Sequence, residues 1–295
     1  MSSDQSTTFT YDHDGLRLSG RIWGVFEAAA AADNPLPIVC LPGLTRNSRD
    51  FSALAGAIHR HEEKRPVIAF DYRGRGLSQH GGGAEAYTLP AEAADTLAGL
   101  DHLCIQRAIF VGTSRGALVI HLIAAMRPAC IAAAVFNDAG PRLETEGLRL
   151  IRDTVGVVES FDDWDAAIDA VASANGPSFA GVARQDFTRM AKAGFIERDG
   201  RIVGDYDPRL LEPPRIMDLD GDLPELWDAF DLMKAIPLLV IRGEHSMLFS
   251  RDTVAKMSAR RDMMESIEVP GQGHAPFLEM AGLPEKILAF AKKAG

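Results

Sequence analysis

The chain has 295 residues, and its content of 46% hydrophobic and 24% charged residues excludes a globally disordered protein. The formal net charge of -10 excludes a general nucleic-acid binder and disfavours an anionic membrane surface, but it leaves an anionic small molecule open because local charge decides such binding. Residues 1–14 are polar and lack the apolar segment of a signal peptide, and the most apolar stretch, 117–126, is too short to span a bilayer, so we expect a cytoplasmic protein.

An opening hairpin is predicted first, because alternating apolar residues at 7–11 and 16–23 flank an Asp-Gly turn. After it, short continuous apolar runs alternate with apolar residues at helical spacing. The runs predict strands at 37–41, 66–70, 108–112 and 131–136. The helical spacings predict helices at 49–60, 90–103 and 116–126. This alternation indicates a mostly parallel sheet with helices on both faces.

The alternation stops between residues 140 and 230, where charged, helix-like segments predominate. This part predicts helices at 164–172 and 184–193, a short hairpin at 197–207 and an irregular proline-rich segment at 208–224. Strands at 237–241 and 266–269 and helices at 251–259 and 284–292 then resume the pattern. We therefore predict an α/β core of about eight strands, formed by residues 1–139 and 231–295, with a mostly helical cap inserted at 140–230.

A Gly-x-Ser-x-Gly sequence at 112–116 lies directly between a predicted buried strand and a predicted apolar helix. In this context the pattern is typical of a nucleophile elbow, a strained turn that presents a serine hydroxyl above the sheet. The alternative is an ordinary helix N-cap serine. The strand and helix on either side favour Ser114 as a nucleophile.

A serine hydroxyl attacks efficiently only when a base accepts its proton. The glycine-rich sequence GQGHAP at 271–276 follows the last predicted strand and supplies His274. The order of serine before histidine is the order found in enzymes with a nucleophile elbow. The other histidines lie in turns or on predicted helices, and His245 is the one competitor.

Two backbone N–H groups are candidate donors to an oxyanion, those of Arg115 and Leu44. Arg115 follows the predicted nucleophile at the start of a helix. Leu44 ends the turn Leu41-Pro42-Gly43-Leu44, which resembles a His-Gly-type oxyanion turn with proline in place of histidine. The side chains of Arg46 and Arg115 either meet a substrate carboxylate near the pocket or serve the structure.

Four segments make the chain resemble bacterial α/β hydrolases of the esterase, enol-lactonase and C–C hydrolase group: LPGLTRNSRDF at 41–51, DYRGRGLS at 71–78, VGTSRG at 111–116 and GQGHAP at 271–276. The resemblance covers nearly the whole chain, and the cap is its least diagnostic part. It implies the α/β-hydrolase fold, a Ser–His–acid site, a small-molecule substrate under the cap, and neither cofactor nor metal. The DYRGRGLS segment lacks the order of a dinucleotide or phosphate loop, so we expect Asp71 and the arginines to form structural ion pairs.

The acid of this site is the point at which the sequence departs from the family pattern. The family places an aspartate where this chain has Met247, and a thioether cannot orient an imidazole. Three explanations stay open. The acid has moved to Asp138, after the preceding strand; Met247 is a substitution that leaves an impaired enzyme; or Glu244 or another residue serves, or the protein is not a hydrolase.

We expect hydrolysis of a small carboxylic ester or lactone through an acyl-enzyme. The alternatives are hydrolysis of a C–C bond in a diketone-type substrate, and a catalytically impaired or ligand-binding protein in view of Met247. The three cysteines, Cys40, Cys104 and Cys130, are widely spaced in apolar stretches and predict buried free thiols rather than metal ligands or a disulfide. The oligomeric state is not predicted.

Overall fold

A computed structural model describes residues 6–26 and 35–294 of the chain. Residues 1–5, part of the polar start that argues against a signal peptide, lie outside the described residues. Within the described ranges, we find no helix that combines the length and the apolar character needed to cross a bilayer.

The first half of the core follows the predicted alternation. Its strands are β1 (Ser6–His13), β2 (Leu16–Trp23), β3 (Ile38–Leu41), β4 (Val67–Asp71), β5 (Ala108–Thr113) and β6 (Ile131–Asn137). Its helices are α1 (Ser52–His61), α2 (Leu89–His102) and α3 (Arg115–Met126). A 3-10 turn, Ser48–Phe51, precedes α1, and the Asn47 side chain caps this turn by accepting a hydrogen bond from Arg49 N. Every strand and helix predicted in this half is present.

The inserted segment, residues 140–230, contains more structure than the sequence predicts. Its elements are α4 (Thr145–Thr154), β7 (Ser160–Phe161), α5 (Trp164–Asn175), α6 (Arg184–Gly194), β8 (Phe195–Arg198), β9 (Arg201–Gly204), α7 (Glu212–Ile216) and α8 (Trp227–Asp231). The predicted hairpin is β8–β9, and β7 pairs with β9 to complete a small antiparallel sheet. Phe230 of α8 is fully buried and packs in the main core. The exact bounds of a cap stay a prediction.

Three helices of the inserted segment, α4, α7 and α8, are missing from the prediction, and for α4 and α7 the sequence gives the reason. Helix α4 contains Gly147, a poor helix former, which the structure accepts because the backbone of Leu248 lies against it. Helix α7 falls within the segment predicted to be irregular. Its prolines, Pro213 and Pro214, lie in the first turn, where a missing N–H costs no intrahelical hydrogen bond.

The chain then returns to the core with β10 (Leu238–Gly243), α9 (Arg251–Ala259), β11 (Met264–Val269) and α10 (Leu283–Ala294). The eight-stranded sheet has the order β1-β2-β4-β3-β5-β6-β10-β11. Strand β2 is antiparallel to both neighbours, and the other six strands, β4, β3, β5, β6, β10 and β11, are parallel to one another. The carboxyl ends of the parallel strands therefore meet at one edge, where sites of open α/β sheets form.

Hydrophobic side chains fill both faces of this sheet, because alternate residues of a strand point to opposite sides. In β5, Phe110 belongs to the cluster beneath α2 and α3, whereas Ile109 and Val111 belong to the cluster beneath α1 and α10. All three side chains are fully buried. The sheet, packed on both faces, therefore supports the loops at its carboxyl edge.

The cysteine prediction is partly wrong. Cys40 and Cys130 are buried free thiols, but Cys104 is free and exposed. Cys104 has a φ of 56° in the turn that follows α2, and this turn lies at the surface. In the part of the chain that the structure describes, no group of three or more histidine, cysteine, aspartate or glutamate side chains is arranged to hold a metal ion.

Candidate active site

Ser114 lies in the tight turn between β5 and α3. Its backbone has φ 52° and ψ −114°, a conformation that is strained for a residue with a side chain. Two hydrogen bonds hold the turn: Ser114 N donates to Asn137 O at 2.9 Å, and Ala117 N donates to Ser114 O at 2.9 Å. Such strain persists only where the surrounding structure enforces it, and here β6 and the first turn of α3 both do so.

The two glycines of the Gly-x-Ser-x-Gly sequence are required by packing. A Cβ on Gly112 would lie 2.5 Å from Ala117 N, and a Cβ on Gly116 would lie 2.1 Å from Leu41 O. Both distances are far shorter than a van der Waals contact. The glycines therefore allow α3 to start directly above β5 and beside β3, which brings the serine to the edge of the sheet.

His274 lies within hydrogen-bonding distance of the serine. Its Nε2 is 2.8 Å from Ser114 Oγ. The loop around His274 is fixed by Asn137, whose Nδ2 donates to Pro276 O at 3.0 Å and to Thr113 Oγ1 at 3.2 Å. One amide at the end of β6 thus ties the histidine loop to the turn that carries the serine.

Asp138 lies on the other side of the imidazole and is completely buried. Its Oδ2 is 2.8 Å from His274 Nδ1, and its Oδ1 accepts a hydrogen bond from Gly243 N at 2.8 Å. A carboxylate can only accept, so Nδ1 carries the ring proton and Nε2 is left to accept the proton of the Ser114 hydroxyl. The three side chains form a continuous hydrogen-bonded chain.

The loop after β10, where the family pattern expects an aspartate, faces away from this chain of hydrogen bonds. Met247 is 47% exposed, and the side chain of His245 is also half-exposed. Glu244 Oε2 accepts a hydrogen bond from Gly271 N at 2.8 Å, so this carboxylate supports the backbone of the histidine loop. Among residues 6–26 and 35–294, neither Glu244 nor His245 hydrogen-bonds to the imidazole of His274.

The backbone N–H groups of Leu44 and Arg115 both border the serine. Gly43 O accepts a hydrogen bond from Arg46 N at 3.2 Å, and because the peptide is trans the Leu44 N–H points the opposite way. A Cβ on Gly43 would lie 3.9 Å from Ser114 Cβ, which puts this turn beside the serine. Arg115 is the first residue of α3, so its N–H has no acceptor within the helix. This arrangement can hold an oxyanion formed at the serine.

The side chain of Arg46 is held by partners from the protein itself. Its Nε and Nη2 pair with the two carboxylate oxygens of Asp50 at 2.7 and 2.5 Å, and Nη2 also donates to Met190 O at 2.8 Å. A substrate carboxylate would have to compete with Asp50 for this guanidinium group. Contact between Arg46 and a substrate stays a prediction.

The loop after β3 also binds the end of helix α6. Arg46, Asn47 and Arg49 donate side-chain hydrogen bonds to the carbonyl oxygens of Met190 and Ala193, with lengths of 2.8, 3.0 and 3.1 Å. The last carbonyls of a helix lack intrahelical donors and carry partial negative charge, so cationic and amide groups stabilise them. The loop that bears Leu44 is therefore connected to the inserted segment.

A second contact joins the inserted segment to the histidine loop. The ring of Phe277 packs edge-to-face against Phe179 and Phe187, with centroid distances of 5.5 and 6.3 Å. A Cβ on Gly273 would lie 2.6 Å from Ser178 Cβ, so this glycine allows the close approach. Helix α6 and the segment before it thus contact both the loop after β3 and the histidine loop.

Residues of the DYRGRGLS segment differ in part from the prediction. Within the described ranges, Asp71 forms no ion pair with Arg73 or Arg75; its carboxylate accepts hydrogen bonds from Ser48 N at 2.7 Å, Ser19 Oγ at 2.9 Å and Leu77 N at 3.1 Å. Arg73 does form a structural ion pair, as predicted, and its partner is Asp95 at 2.7 Å. Asp71 acts as an acceptor for backbone N–H groups because the turn leaves these donors without other partners.

Two residues near the site are missing from the sequence-based candidates. Asn137 precedes Asp138, and a polar pair that ends a buried strand is a signal that could have identified it. Glu92 is buried in α2 and pairs with two arginines. A glutamate in the first turn of a helix is usually solvated, so the pattern of the sequence carries no signal for it.

Comparison with known proteins shows the family to which the chain belongs. A sequence model of the alpha/beta hydrolase family matches residues 38–283. The chain is 31% identical over 256 residues to a 3-hydroxybutyrate-oligomer hydrolase of Cupriavidus necator, covering 82% of this chain and 84% of that protein. It is also 31% identical over 235 residues to a 2-(acetamidomethylene)succinate hydrolase of Mesorhizobium japonicum, covering 79% of each. The crystal structure of an alpha/beta hydrolase from Novosphingobium aromaticivorans superposes with a TM-score of 0.87 at 35% identity, over 98% of both chains.

Proposed function

The chain belongs to the alpha/beta hydrolase family and is a hydrolase, and from this premise we propose that it cleaves small carboxylic esters with Ser114 as nucleophile, His274 as base and Asp138 as acid. One observation carries the proposal. Ser114 Oγ, the two imidazole nitrogens and Asp138 Oδ2 form an unbroken series with both hydrogen bonds at 2.8 Å. These are the distances at which a base can take the proton of a serine hydroxyl.

The acylation step follows from this geometry. Ser114 Oγ attacks the ester carbonyl while its proton passes to His274 Nε2, and the imidazolium that forms is stabilised by the buried Asp138 carboxylate. The carbonyl oxygen becomes an oxyanion that accepts hydrogen bonds from the N–H groups of Leu44 and Arg115. Collapse of this intermediate expels the alkoxide, which takes the proton from His274 and leaves an acyl-enzyme at Ser114.

Deacylation repeats the same steps with water in place of serine. His274 removes a proton from water, the resulting hydroxide attacks the acyl carbonyl, and the two N–H groups again stabilise the oxyanion. Ser114 leaves with the proton returned by His274, and a free carboxylic acid is released. Every proton transfer in this sequence uses the protein's own side chains.

The substrate class is proposed from the relatives. The 3-hydroxybutyrate-oligomer hydrolase shares 31% identity with this chain over most of both sequences. Oligomers of 3-hydroxybutyrate are carboxylic esters of a short hydroxy acid and fit an acyl-enzyme mechanism. We therefore propose short oligoesters of hydroxy acids as substrates.

The second relative supports an alternative. Its name assigns it 2-(acetamidomethylene)succinate, and its identity to this chain is equally 31%. The same serine site could attack a carbonyl of that compound. The compound that the chain hydrolyses distinguishes this alternative from the first proposal.

The test is a panel with a mutant control. The chain and Ser114→Ala are each given p-nitrophenyl butyrate, the dimer and trimer of 3-hydroxybutyrate, γ-butyrolactone and 2-(acetamidomethylene)succinate. A fluorophosphonate probe is applied in parallel. We expect the parent chain to label stoichiometrically and to cleave the oligoesters, and Ser114→Ala to lose labelling and at least about a thousandfold of the rate.

Residual activity within about tenfold of the parent would reject Ser114 as nucleophile, because a nucleophilic serine normally carries far more of the rate. Turnover of the acetamidomethylene compound without turnover of the oligoesters would select the alternative. A parent chain that neither labels nor turns over any compound would reject the proposed serine mechanism and substrate class.

A further inference from the structure

Arg75 lies directly behind the turn that carries the Leu44 N–H. It follows β4, and its side chain is completely buried. Nε donates a hydrogen bond to Leu44 O at 2.9 Å, while Nη1 donates to Arg73 O at 2.8 Å and lies 2.8 Å from Glu92 Oε1. The guanidinium plane is thus fixed on three sides, and it fixes the peptide that follows Leu44.

The same carboxylate reaches the other oxyanion donor. Glu92 Oε2 accepts a hydrogen bond from Arg115 Nε at 2.7 Å, and Arg115 Nη2 donates to Tyr87 O at 3.1 Å. Arg115 is the residue whose backbone N–H borders Ser114. Glu92 therefore connects both walls of the oxyanion site through two arginines, and we call these residues the Arg75–Glu92–Arg115 cluster.

The cluster carries an excess of positive charge in a buried place. Burial alone would raise the pKa of Glu92, but Arg115 and Arg75 lower it below the ordinary value, so the carboxylate is ionised. Two guanidinium groups then face one carboxylate. The rings of Tyr72 and Tyr87 lie 5.6 and 5.7 Å from the Arg75 guanidinium carbon, and among the described residues its Nη2 has no hydrogen-bond partner.

The excess positive charge of the cluster stabilises negative charge that develops beside it. A buried charge acts through a low local dielectric and is little screened by solvent. The oxyanion of an acyl transfer forms beside the N–H groups of Leu44 and Arg115, and Leu44 is in direct contact with Arg75. Stability alone does not account for such a cluster, because buried ionic triads can often be replaced by apolar side chains without loss of stability.

We propose that Arg75 is a positioning residue for the oxyanion site. It orients the turn of Leu44, shares Glu92 with Arg115, and supplies positive potential to the oxyanion without touching the substrate. This inference rests on the proposed serine mechanism. Arg75 therefore affects the transition state more than the bound ester.

The experiment compares Arg75→Gln, Arg75→Lys and Arg73→Gln with the parent chain. Arg73 is a matched control, because it lies in the same loop and forms a comparably buried ion pair with Asp95, away from Leu44. Rates on p-nitrophenyl butyrate are divided by the amount of serine that a fluorophosphonate titrates, so that unfolded protein does not count. Inhibition by a trifluoromethyl ketone, which adds the serine to form a hemiketal oxyanion, is measured for each variant.

We expect Arg75→Gln to lower kcat per titrated serine by about 10- to 100-fold, a part of what the loss of an oxyanion donor costs, with KM within about threefold. The inhibition constant of the ketone should rise in proportion to the fall in kcat/KM. Arg75→Lys should recover part of the rate, since it keeps the charge but lacks the planar fork that holds Leu44 O and Glu92 together. Arg73→Gln should stay within about threefold of the parent.

Equal effects of Arg75→Gln and Arg73→Gln on kcat and on ketone inhibition would overturn the inference while leaving the serine mechanism intact. So would Arg75→Lys with a raised KM and an unchanged kcat, a comparison that remains informative if Arg75→Gln does not fold. A parent chain that the fluorophosphonate does not label would instead reject the proposed function itself.

Discussion

The carboxylate of Asp138 is engaged at both oxygens, one by the Gly243 N–H and one by His274. Its backbone has a φ of 59° and donates from N to Ile241 O at 2.8 Å, so strand β10 holds the residue as well as its side chain. An aspartate in this position has little rotational freedom. It can therefore fix the orientation of the imidazole without help from the loop after β10.

The first prediction separates the two strand ends as sources of the acid. Asp138→Asn should lower kcat by about 10⁴-fold, because an amide at this position favours the wrong imidazole tautomer. Met247→Asp should change kcat by less than about threefold, since position 247 is half-exposed and lies outside the hydrogen-bonded chain. Both variants are assayed on p-nitrophenyl butyrate across pH. A large gain in Met247→Asp would show instead that Met247 replaces a missing acid.

A second residue-scale prediction concerns His121, which is fully buried in α3. Its Nδ1 donates to Ala117 O at 2.7 Å, and its ring lies 4.8 Å from the ring of Phe136 and 6.1 Å from that of Phe230. Burial lowers the pKa of His121 to about 4, so the folded protein excludes a proton that the unfolded chain accepts below pH 6.5. Between these two values the unfolded state binds more protons, and the stability of the fold must rise with pH.

The measurement is urea unfolding of the parent chain and of His121→Leu between pH 4 and pH 7.5. Relative to the variant, the parent should lose about 3 kcal/mol of unfolding free energy as pH falls from 6.5 to 4, and nothing above pH 7.5. The difference between the two chains cancels the titration of all other groups. Parallel curves over this range would mean that His121 titrates normally in the folded state.

Among the elements, helix α6 connects the inserted segment to the core through its last turn. Arg49 donates a 3.1 Å hydrogen bond to Ala193 O in this turn, and it also forms a 2.7 Å ion pair with Asp205, which follows β9. Because the carbonyls at this end carry partial negative charge, the loss of a cation weakens the contact itself and leaves the helix intact. The inserted segment should then open independently of the sheet.

The prediction is that Arg49→Ala accelerates amide exchange in residues 184–194 by about tenfold or more and leaves β5 and β6 unchanged. Hydrogen exchange followed by mass spectrometry measures both regions in one experiment. Arg251→Ala is the control, because it removes an exposed ion pair with Glu268 at 2.7 Å on another part of the surface. Faster exchange throughout the sheet would show that Arg49 stabilises the whole fold and not this contact.

The elements of the core could be predicted because each has the period of its own secondary structure. Strand β5 is a continuous apolar run and α3 follows it at once, so the elbow is visible in the sequence. Helices α4 and α7 could not be predicted, because Gly147 and the pair Pro213 and Pro214 oppose helix formation locally and tertiary packing decides. The same limit applies to the Arg75–Glu92–Arg115 cluster, whose members come from three separate parts of the chain.

For the whole molecule, net charge is the property that most affects the approach of a substrate. The chain carries a formal charge of -10, and the two identified relatives act on compounds that bear carboxylate groups at neutral pH. Long-range repulsion should slow the encounter with an anionic oligoester, while a neutral ester is unaffected. Salt screens this repulsion over a distance of about 10 Å at 0.1 M.

For the proposed oligoester activity we therefore predict that kcat/KM for the 3-hydroxybutyrate trimer rises by about two- to fivefold between 10 and 200 mM NaCl. The value for p-nitrophenyl butyrate, which is uncharged, should change by less than about 1.5-fold. Steady-state kinetics at constant pH measures both. A fall in the value for the trimer with salt would show that a local cation such as Arg46 dominates over the net charge.

In the proposed mechanism the acid comes from the end of β6, and the loop after β10 supports the histidine loop, because Gly271 N donates to Glu244 Oε2 and His245 N donates to Gln272 O. Met247 in this loop is half-exposed and lies outside the hydrogen-bonded chain of Ser114, His274 and Asp138. The protein thus offers position 247 as an attachment point for a peptide tag, a surface linker or a dye. A label fixed there would leave the hydrogen bonds among Ser114, His274 and Asp138 unaltered.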